Sequence, residues 1–299
     1  MLRTRSIATP RSVSSAAELV VVSPHLDDAV LSLGGTIGRE AAAGRRVTVL
    51  SCFTAGPPLE SIPPAQRVFG DYSVRRAEDE RALAALGAEH RWLDLPERIW
   101  RKPSLARTLH VFRTPPAMDD FAQLRAIRAA IGELIERGAE LYVPLGVGHH
   151  VDHVEVALAA LREVLVRGAF ERVRFYEDPY ALGRACRRAH FVARRRMWRP
   201  LAAPAWASPR VGALLQLVAV SARGPGIDDY LPEAATLEWS CAPAALAAAD
   251  EDRKLAAVAE YRSQVKAFGG EPRVRAFMRR GHRALGGEPL WRCRPGRPR

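Results

Sequence analysis

Leu19-Val20-Val21-Val22-Ser23-Pro24-His25-Leu26-Asp27-Asp28 is the stretch that decides the fold. Leu19 to Ser23 is a short apolar run, suited to a strand buried on both faces. From Asp28 to Ala43 the apolar residues recur at helical spacing, and Gly44 supplies the stop. Arg46 to Cys52 returns to a β-branched run. Strand, loop, helix and strand make a βαβ unit, which implies a parallel sheet with a right-handed crossover. The segment Pro24 to Asp28 then falls at the carboxyl end of the first strand, where open α/β sheets bind their ligands.

The pattern repeats outward. Phe53 to Asp71, with Pro57, Pro58, Pro63 and Pro64, reads as a loop. Val74 to Leu86 reads as a helix stopped by Gly87, and His90 to Leu95 as a strand. Pro96 to Ala117 is a second proline-punctuated loop. Asp119 to Arg137 is expected as an amphipathic helix, capped by Asp119 or Asp120 and stopped by Gly138. Leu141 to Val143 and Val173 to Tyr176 read as strands around a helix from His153 to Val166, stopped by Gly168. The fold class is therefore α/β: a Rossmann-like, doubly wound, mostly parallel sheet with helices on both faces. A C-terminal helical or cap extension follows. In it, Arg184 to Arg199 is strongly basic, Ala244 to Phe268 is expected to be helical behind Pro243, and Gly286 to Trp291 reads as a closing strand or loop. The expected organisation is a leader over 1–16, one domain over 17–292 (core 17–180, extension 181–292) and a basic tail over 293–299.

The 299 residues are 48% hydrophobic and 26% charged, which excludes a largely disordered, collagen-like or coiled-coil chain. Lys and Arg number 45 against 33 Asp and Glu, a net charge of +12. The lysines are Lys102, Lys254 and Lys266, so the excess is arginine. A nucleic-acid or anionic-membrane partner is one reading of that charge. Arginines spread over a soluble surface are the plainer one, and nucleic acid and a membrane surface are both disfavoured as partners. Cys52, Cys186, Cys241 and Cys293 are scattered, with no CxxC pair, in keeping with a reducing, cytoplasmic location. The apolar run Val211 to Val220 is too short to span a bilayer. Gly34-Gly35 lacks the spacing of a dinucleotide-binding fingerprint.

Chemistry concentrates in two fragments. Pro24-His25-Leu26-Asp27-Asp28 offers one imidazole and two carboxylates at a strand end. Burying adjacent carboxylates there is costly unless a cation or a donor compensates. The alternative is a plain helix cap by Asp27 or Asp28. The second fragment, Gly146-Val147-Gly148-His149-His150-Val151-Asp152-His153, follows another strand and opens another helix. Three of the chain's eight histidines lie within it beside an aspartate, a metal-site composition. Glu is missing after His149, so this is not the HExxH pattern.

Together these fragments resemble the LmbE-like, or PIG-L, family of zinc-dependent N-deacetylases. The family's PHPDDE motif stands here as Pro24-His25-Leu26-Asp27-Asp28-Ala29, and its HxDH motif as His150-Val151-Asp152-His153. Weaker similarity extends through Arg75-Arg76-Ala77-Glu78, Phe175 to Tyr180, Lys254 to Gln264 and Gly287 to Arg292. The resemblance implies that His25, Asp28 and His153 bind zinc, with another divalent transition metal as the alternative. It implies Asp27 as general base, His150 as the group that stabilises the oxyanion or protonates the leaving amine, and Asp152 as the residue that orients His150. It assigns Arg75 to the sugar. His149 is an additional imidazole outside the motif, read either as a further substrate contact or as a solvated side chain. Leu26 and Ala29 depart from the motif at positions that are not ligands.

The implied activity is hydrolysis of an N-acetyl or other N-acyl amide on a small amino-sugar molecule or glycoconjugate. An amidase for a sugar-linked thiol conjugate is the alternative within the same chemistry. A non-catalytic anion- or nucleic-acid-binding protein, working through Arg184, Arg187, Arg188, Arg194, Arg195, Arg196 and Arg199, is the alternative outside it. Trp92, Trp100, Trp198, Trp206, Trp239 and Trp291 are expected to serve packing rather than sugar stacking.

Overall fold

The computed structural model describes residues 17–64, 67–101, 110–178, 184–196 and 224–296. The first half alternates strand and helix: β1 (Leu19–Ser23), α1 (Asp28–Ala42), β2 (Val47–Ala55), α2 (Tyr72–Leu86), β3 (Glu89–Pro96), α3 (Leu124–Glu136), β4 (Glu140–Pro144), α4 (Val151–Arg167) and β5 (Val173–Tyr176). The second half adds α5 (Arg184–Ala189), β6 (Glu238–Ala244), α6 (Ala248–Glu260), α7 (Arg262–Ala267), α8 (Glu271–Leu285) and β7 (Glu288–Arg294). The strands form one seven-stranded sheet in the order β3-β2-β1-β4-β5-β7-β6. The first five are parallel, and β7 runs antiparallel to both β5 and β6.

Side-chain alternation on β1 divides the core. Leu19 and Val21 pack with Val30, Leu33 and Ile37 of α1 and with Leu255 and Val258 of α6. Val20 and Val22 face the other way, onto Ile127 and Ile131 of α3 and Val154 and Leu158 of α4. Both faces are thus covered, as buried parallel strands require. The chain proceeds from β1 to β2 on one side and reaches β4 on the other. The strand order therefore reverses between β1 and β4, which opens a crevice at their carboxyl ends.

Lys254 and Glu288 wedge into α1. The Glu288 carboxylate accepts from the backbone of Gly35 (3.0 Å) and Thr36 (2.8 Å) and from the Thr36 hydroxyl (2.6 Å). Lys254 Nζ donates to Glu288 (2.7 Å) and to the carbonyl of Ser32 (3.1 Å). A side-chain pair thus sits across the helix's own hydrogen-bond ladder. Gly34 permits the approach, because a Cβ there would lie 2.9 Å from Lys254 Cγ. Close packing, rather than a nucleotide, is what the glycine pair serves.

Several expectations shift. The amphipathic helix begins at Leu124, and Asp119 and Asp120 sit in a preceding 3-10 turn, where Asp120 accepts from the Ala117 amide. Phe121, buried in extended backbone, separates the two. Pro243 does not open a helix; it lies in β6 opposite Pro289 of β7, on the sheet edge where proline is tolerated. The extension is more than a helical cap, since it supplies two strands to the sheet. The closing strand runs through Arg294 with Cys293 buried, past the expected start of the tail. The basic stretch divides: Arg187 is buried against Glu177, Arg196 donates to the Cys241 carbonyl, and Arg188, Arg194 and Arg195 are exposed. The expected leader, Lys102, Pro179-Tyr180, the run 211–220, Trp198, Arg199 and Trp206 lie outside the described residues. The other four tryptophans are anchored by their indole N–H groups to Asp79, Tyr72, the Ala234 carbonyl and Glu177. No helix among the described residues is long and apolar enough to cross a membrane.

Candidate metal centre

Both histidine fragments open onto the crevice, one after β1 and one after β4. After β1 the chain turns sharply into α1. Ser23 Oγ makes this turn: it donates to the His25 carbonyl (2.5 Å) and accepts from the Ala29 amide (3.0 Å). Asp27 occupies the cap position of α1 without a capping hydrogen bond from its side chain, so the plain-cap alternative does not hold. Asp28 is fully buried. After β4, Gly146 (φ 76°) and Gly148 (φ 105°) bend the loop back, and His149 itself adopts φ 64°, a conformation few non-glycine residues take. His150 and His153 then face the crevice from the first turn of α4.

Asp28 Oδ2 lies 3.0 Å from His25 Nδ1 and 3.2 Å from His153 Nε2, and those two nitrogens are 3.3 Å apart. Tetrahedral zinc with ligands at 2.0–2.1 Å has ligand–ligand edges of about 3.3 Å. Two imidazole nitrogens and a carboxylate oxygen thus already stand at the corners of such a site. Asp28 Oδ1 is buried and has no hydrogen-bond partner among the described residues. His25, His150 and His153 also bring one ring nitrogen each within 4.8 Å of one another. The residues fit a metal ion, and the tighter trio is the one that contains Asp28.

The far side of each imidazole is held by a carboxylate. His25 Nε2 meets Asp152 Oδ2 at 3.2 Å, and His153 Nδ1 meets Asp178 Oδ1 at 2.9 Å. Carboxylate–histidine pairs of this kind fix the ring orientation and raise ligand basicity. Asp152 also accepts from the Arg98 amide (2.9 Å) and from Arg101 (3.1 Å), which in turn reaches Glu155 (3.2 Å) and lies over the Phe53 ring. This departs from the expected role of Asp152: it grips His25, whereas His150 Nδ1 is buried without a hydrogen-bond partner among the described residues. The reason is geometric, since Asp152 and His150 are neighbours but one on the rim of a helix and diverge. His150 instead stands edge-on to His25 at 5.0 Å and to Phe112 at 5.4 Å.

The electrostatics call for positive charge. Burial opposes ionisation of His25, yet Glu97, Asp152 and Asp28 push its pKa well above the ordinary value. His153 is likewise raised to about 10, with Asp28 and Asp178 overcoming burial. Asp28 is held well below the carboxylate range: burial works against this, and His153 and His25 outweigh it. A divalent cation meets the same demand. Burial raises Asp27 to about 6, with Asp28 adding to the rise and Arg75 and His25 opposing it. Burial and the flanking His153 and His25 push His150 well below its ordinary value, so its ring is neutral.

The two expected substrate contacts are placed differently. Arg75 is buried and spends its guanidinium on Glu97 (2.5 Å), behind Asp27. It is not open to a sugar. His149 is half-buried, with Nε2 3.2 Å from Thr114 Oγ1, and lines a neighbouring cavity with Cys186, Phe191 and Asp228. Asp178, Arg101 and Glu155 received no role from sequence. A buried carboxylate pair and an arginine, drawn together from separate elements, leave no local signature.

Residues 20–164 match the family profile described as PIG-L: GlcNAc-PI de-N-acetylase. This stretch of the chain thus carries a PIG-L, or LmbE-like, domain. The match contains both histidine fragments of the centre. Among similar PIG-L relatives, the 1D-myo-inositol 2-acetamido-2-deoxy-alpha-D-glucopyranoside deacetylase of Actinosynnema mirum is 32% identical over 176 residues, covering 54% of this chain and 60% of that protein. The enzyme of the same description from Saccharomonospora viridis is 33% identical over 156 residues, covering 48% and 57%. The matched stretch is thus under two thirds of either relative. Among solved structures, a deacetylase–bog complex from the biosynthesis pathway of teicoplanin aligns with a TM-score of 0.66 at 23% identity, over 94% of this chain and 100% of that one. The A40926 pseudoaglycone deacetylase Dbv21 aligns with a TM-score of 0.61 at 23% identity, over 93% and 96%. These two establish a shared fold across nearly the whole chain, extension included.

Proposed function

We propose that this chain is a zinc-dependent hydrolase that removes an N-acetyl or other N-acyl group from a small amino-sugar-containing molecule. The observation that carries the reading is the mutual 3.0–3.3 Å spacing of His25 Nδ1, Asp28 Oδ2 and His153 Nε2, beside Asp27 and a neutral His150. His25, Asp28 and His153 would hold the ion. When bound, such a cation supplies Lewis acidity, polarising an amide carbonyl and making water acidic near neutral pH. Three protein ligands leave room for a reacting molecule.

The remaining steps belong to the chain's own groups. Asp27 adjoins ligand Asp28 in sequence and takes a proton from water at its carboxylate. The imidazole of His150 faces the same crevice; neutral, it offers an N–H to the developing oxyanion, and the proton that Asp27 takes from water goes to the departing amine. Asp152 and Asp178 keep His25 and His153 in the tautomers that present Nδ1 and Nε2 to the ion. Buried Arg75 pairs with Glu97 and supports the charge of Asp27. The matched relatives are named as deacetylases of a 2-acetamido-2-deoxy-glucopyranoside, which supports an N-acetylated amino sugar as the substrate class here. Four unpaired cysteines are in keeping with a cytoplasmic setting.

The test is acetate and free-amine release from N-acetylglucosaminyl conjugates, with longer acyl chains in parallel. Release that stops on chelation and returns with zinc supports the reading. Asp27→Asn should keep the metal and lower turnover by a factor of about 100 or more. Unchanged turnover in that variant removes Asp27 as the base.

A further inference from the structure

A hydrogen-bonded chain runs from outside the metal centre to the loop that carries it. Trp92 on β3 donates through Nε1 to Asp79 Oδ2 at 2.9 Å. Asp79 Oδ1 lies 2.7 Å from the hydroxyl of Tyr261, at the junction of α6 and α7. That hydroxyl lies 3.0 Å from the carbonyl of Leu26, the residue between His25 and Asp27. Asp79, Tyr261 and Leu26 are all buried.

The protons in this chain can be counted. The Trp92 indole nitrogen only donates, so Asp79 Oδ2 is an acceptor. The Leu26 carbonyl only accepts, and Tyr261 is its one hydrogen-bond donor among the described residues. Tyr261 has a single proton to give. Were Asp79 ionised, that proton would be drawn to the carboxylate and the Leu26 carbonyl would be buried without a donor. With a proton on Asp79 Oδ1, every group is satisfied: Asp79 donates to Tyr261, and Tyr261 donates to Leu26.

We propose that Asp79 is a neutral carboxylic acid that acts as a positioning residue, fixing the Leu26 carbonyl through Tyr261 and with it the loop that bears His25 and Asp27. Burial pushes the Asp79 carboxyl up to about 7; Trp92 and Tyr261 oppose the rise, Asp27 adds to it and Arg75 opposes it. These are the groups that face it: Trp92 from β3, Tyr261 from the α6–α7 junction, Asp27 from the loop after β1, and Arg75 from its own helix. The adjoining Glu78 is occupied with the amide and hydroxyl of Ser263 (2.9 and 2.6 Å), which ties the same junction to α2. As pH rises and Asp79 loses its proton, the chain reverses at Tyr261 and the metal loop loses its tether. The link to the metal rests on the proposed function; the protonation state of Asp79 does not.

Asp79→Asn discriminates, because an amide oriented with its oxygen to Trp92 and its NH2 to Tyr261 reproduces the neutral acid. In infrared difference spectra of wild type minus Asp79→Asn, taken below neutral pH, a protonated carboxylic acid band should appear that is absent from the variant. Asp79→Asn should keep the wild-type metal affinity, Asp79→Ala should lower it about tenfold, and the ratio of Asp79→Asn to wild-type affinity should climb with pH. Absence of the acid band overturns the proposal, as does an Asp79→Asn variant that loses metal as readily as Asp79→Ala. The band requires no turnover, so failure of the proposed reaction leaves this result readable.

Discussion

Replacing Asp152 by Asn separates two roles for this carboxylate. Its Oδ2 accepts from the Arg98 amide at 2.9 Å and meets His25 Nε2 at 3.2 Å, while Oδ1 takes Arg101 at 3.1 Å. Asparagine has one oxygen for these three donors. With the oxygen toward Arg98 and His25, its NH2 opposes the guanidinium; reversed, it opposes the other two. Either way the negative charge that holds the His25 ring is gone, in a site whose environment keeps Asp152 ionised, at about 2: burial resists this, and the hydrogen bond to His25 and the charge of Arg101 enforce it. Loss of such a supporting carboxylate typically weakens metal affinity by a factor of about 10–100. At about 1.4 kcal/mol per decade that is roughly 1.4–2.8 kcal/mol. The assay is a chelator-competition titration of zinc on wild type and variant, with deacetylation followed at saturating metal. A variant that binds zinc as wild type does but turns over slowly would refute the reasoning. It would place Asp152 with His150, as the family resemblance alone implies.

Further outcomes follow from the same contacts. Glu288→Ala leaves the buried Lys254 ammonium without its carboxylate and strips a partner from the Gly35 and Thr36 amides, so unfolding stability should fall by about 3–5 kcal/mol in denaturant titrations; a loss under about 1 kcal/mol means the wedge is not stabilising α1. His190 is fixed neutral, its Nε2 donating to the Leu145 carbonyl and its Nδ1 accepting from the Val192 and Ala193 amides, and burial pushes it from 6.5 down to about 3. Between those values the unfolded chain binds the extra proton, so this residue costs about 1.4 kcal/mol of stability per unit as pH falls. Stability measured at several pH values should lose that slope in His190→Gln, and an unchanged slope contradicts the assignment.

The parts of the molecule that were legible in sequence are those with local causes. The β-branched runs of β1 and β2, the glycine stops after α2 and α4, and the two histidine fragments each carry their signal within about ten residues. Their meeting follows from topology, because β1 and β4 are neighbours on either side of the reversal in strand order. What escaped was long-range. The β6 sequence Glu238-Trp239-Ser240-Cys241-Ala242-Pro243-Ala244 alternates weakly and contains proline, and it is a strand because β7, from the far end of the chain, pairs with it. Asp178 was visible in sequence, but nothing local said that it would reach His153. The motif marks Arg75 as a substrate contact, while the Glu97 carboxylate that claims it comes from a loop 22 residues away.

The most direct test is to strip the protein of metal and titrate zinc back while following acetate release from an N-acetylglucosaminyl conjugate. Activity should rise with zinc and level off at about one ion per chain, and a His25→Ala, Asp28→Ala, His153→Ala triple variant should bind none at the same concentrations. Zinc uptake by the triple variant equal to that of wild type, or acetate release that ignores the metal, would contradict the account.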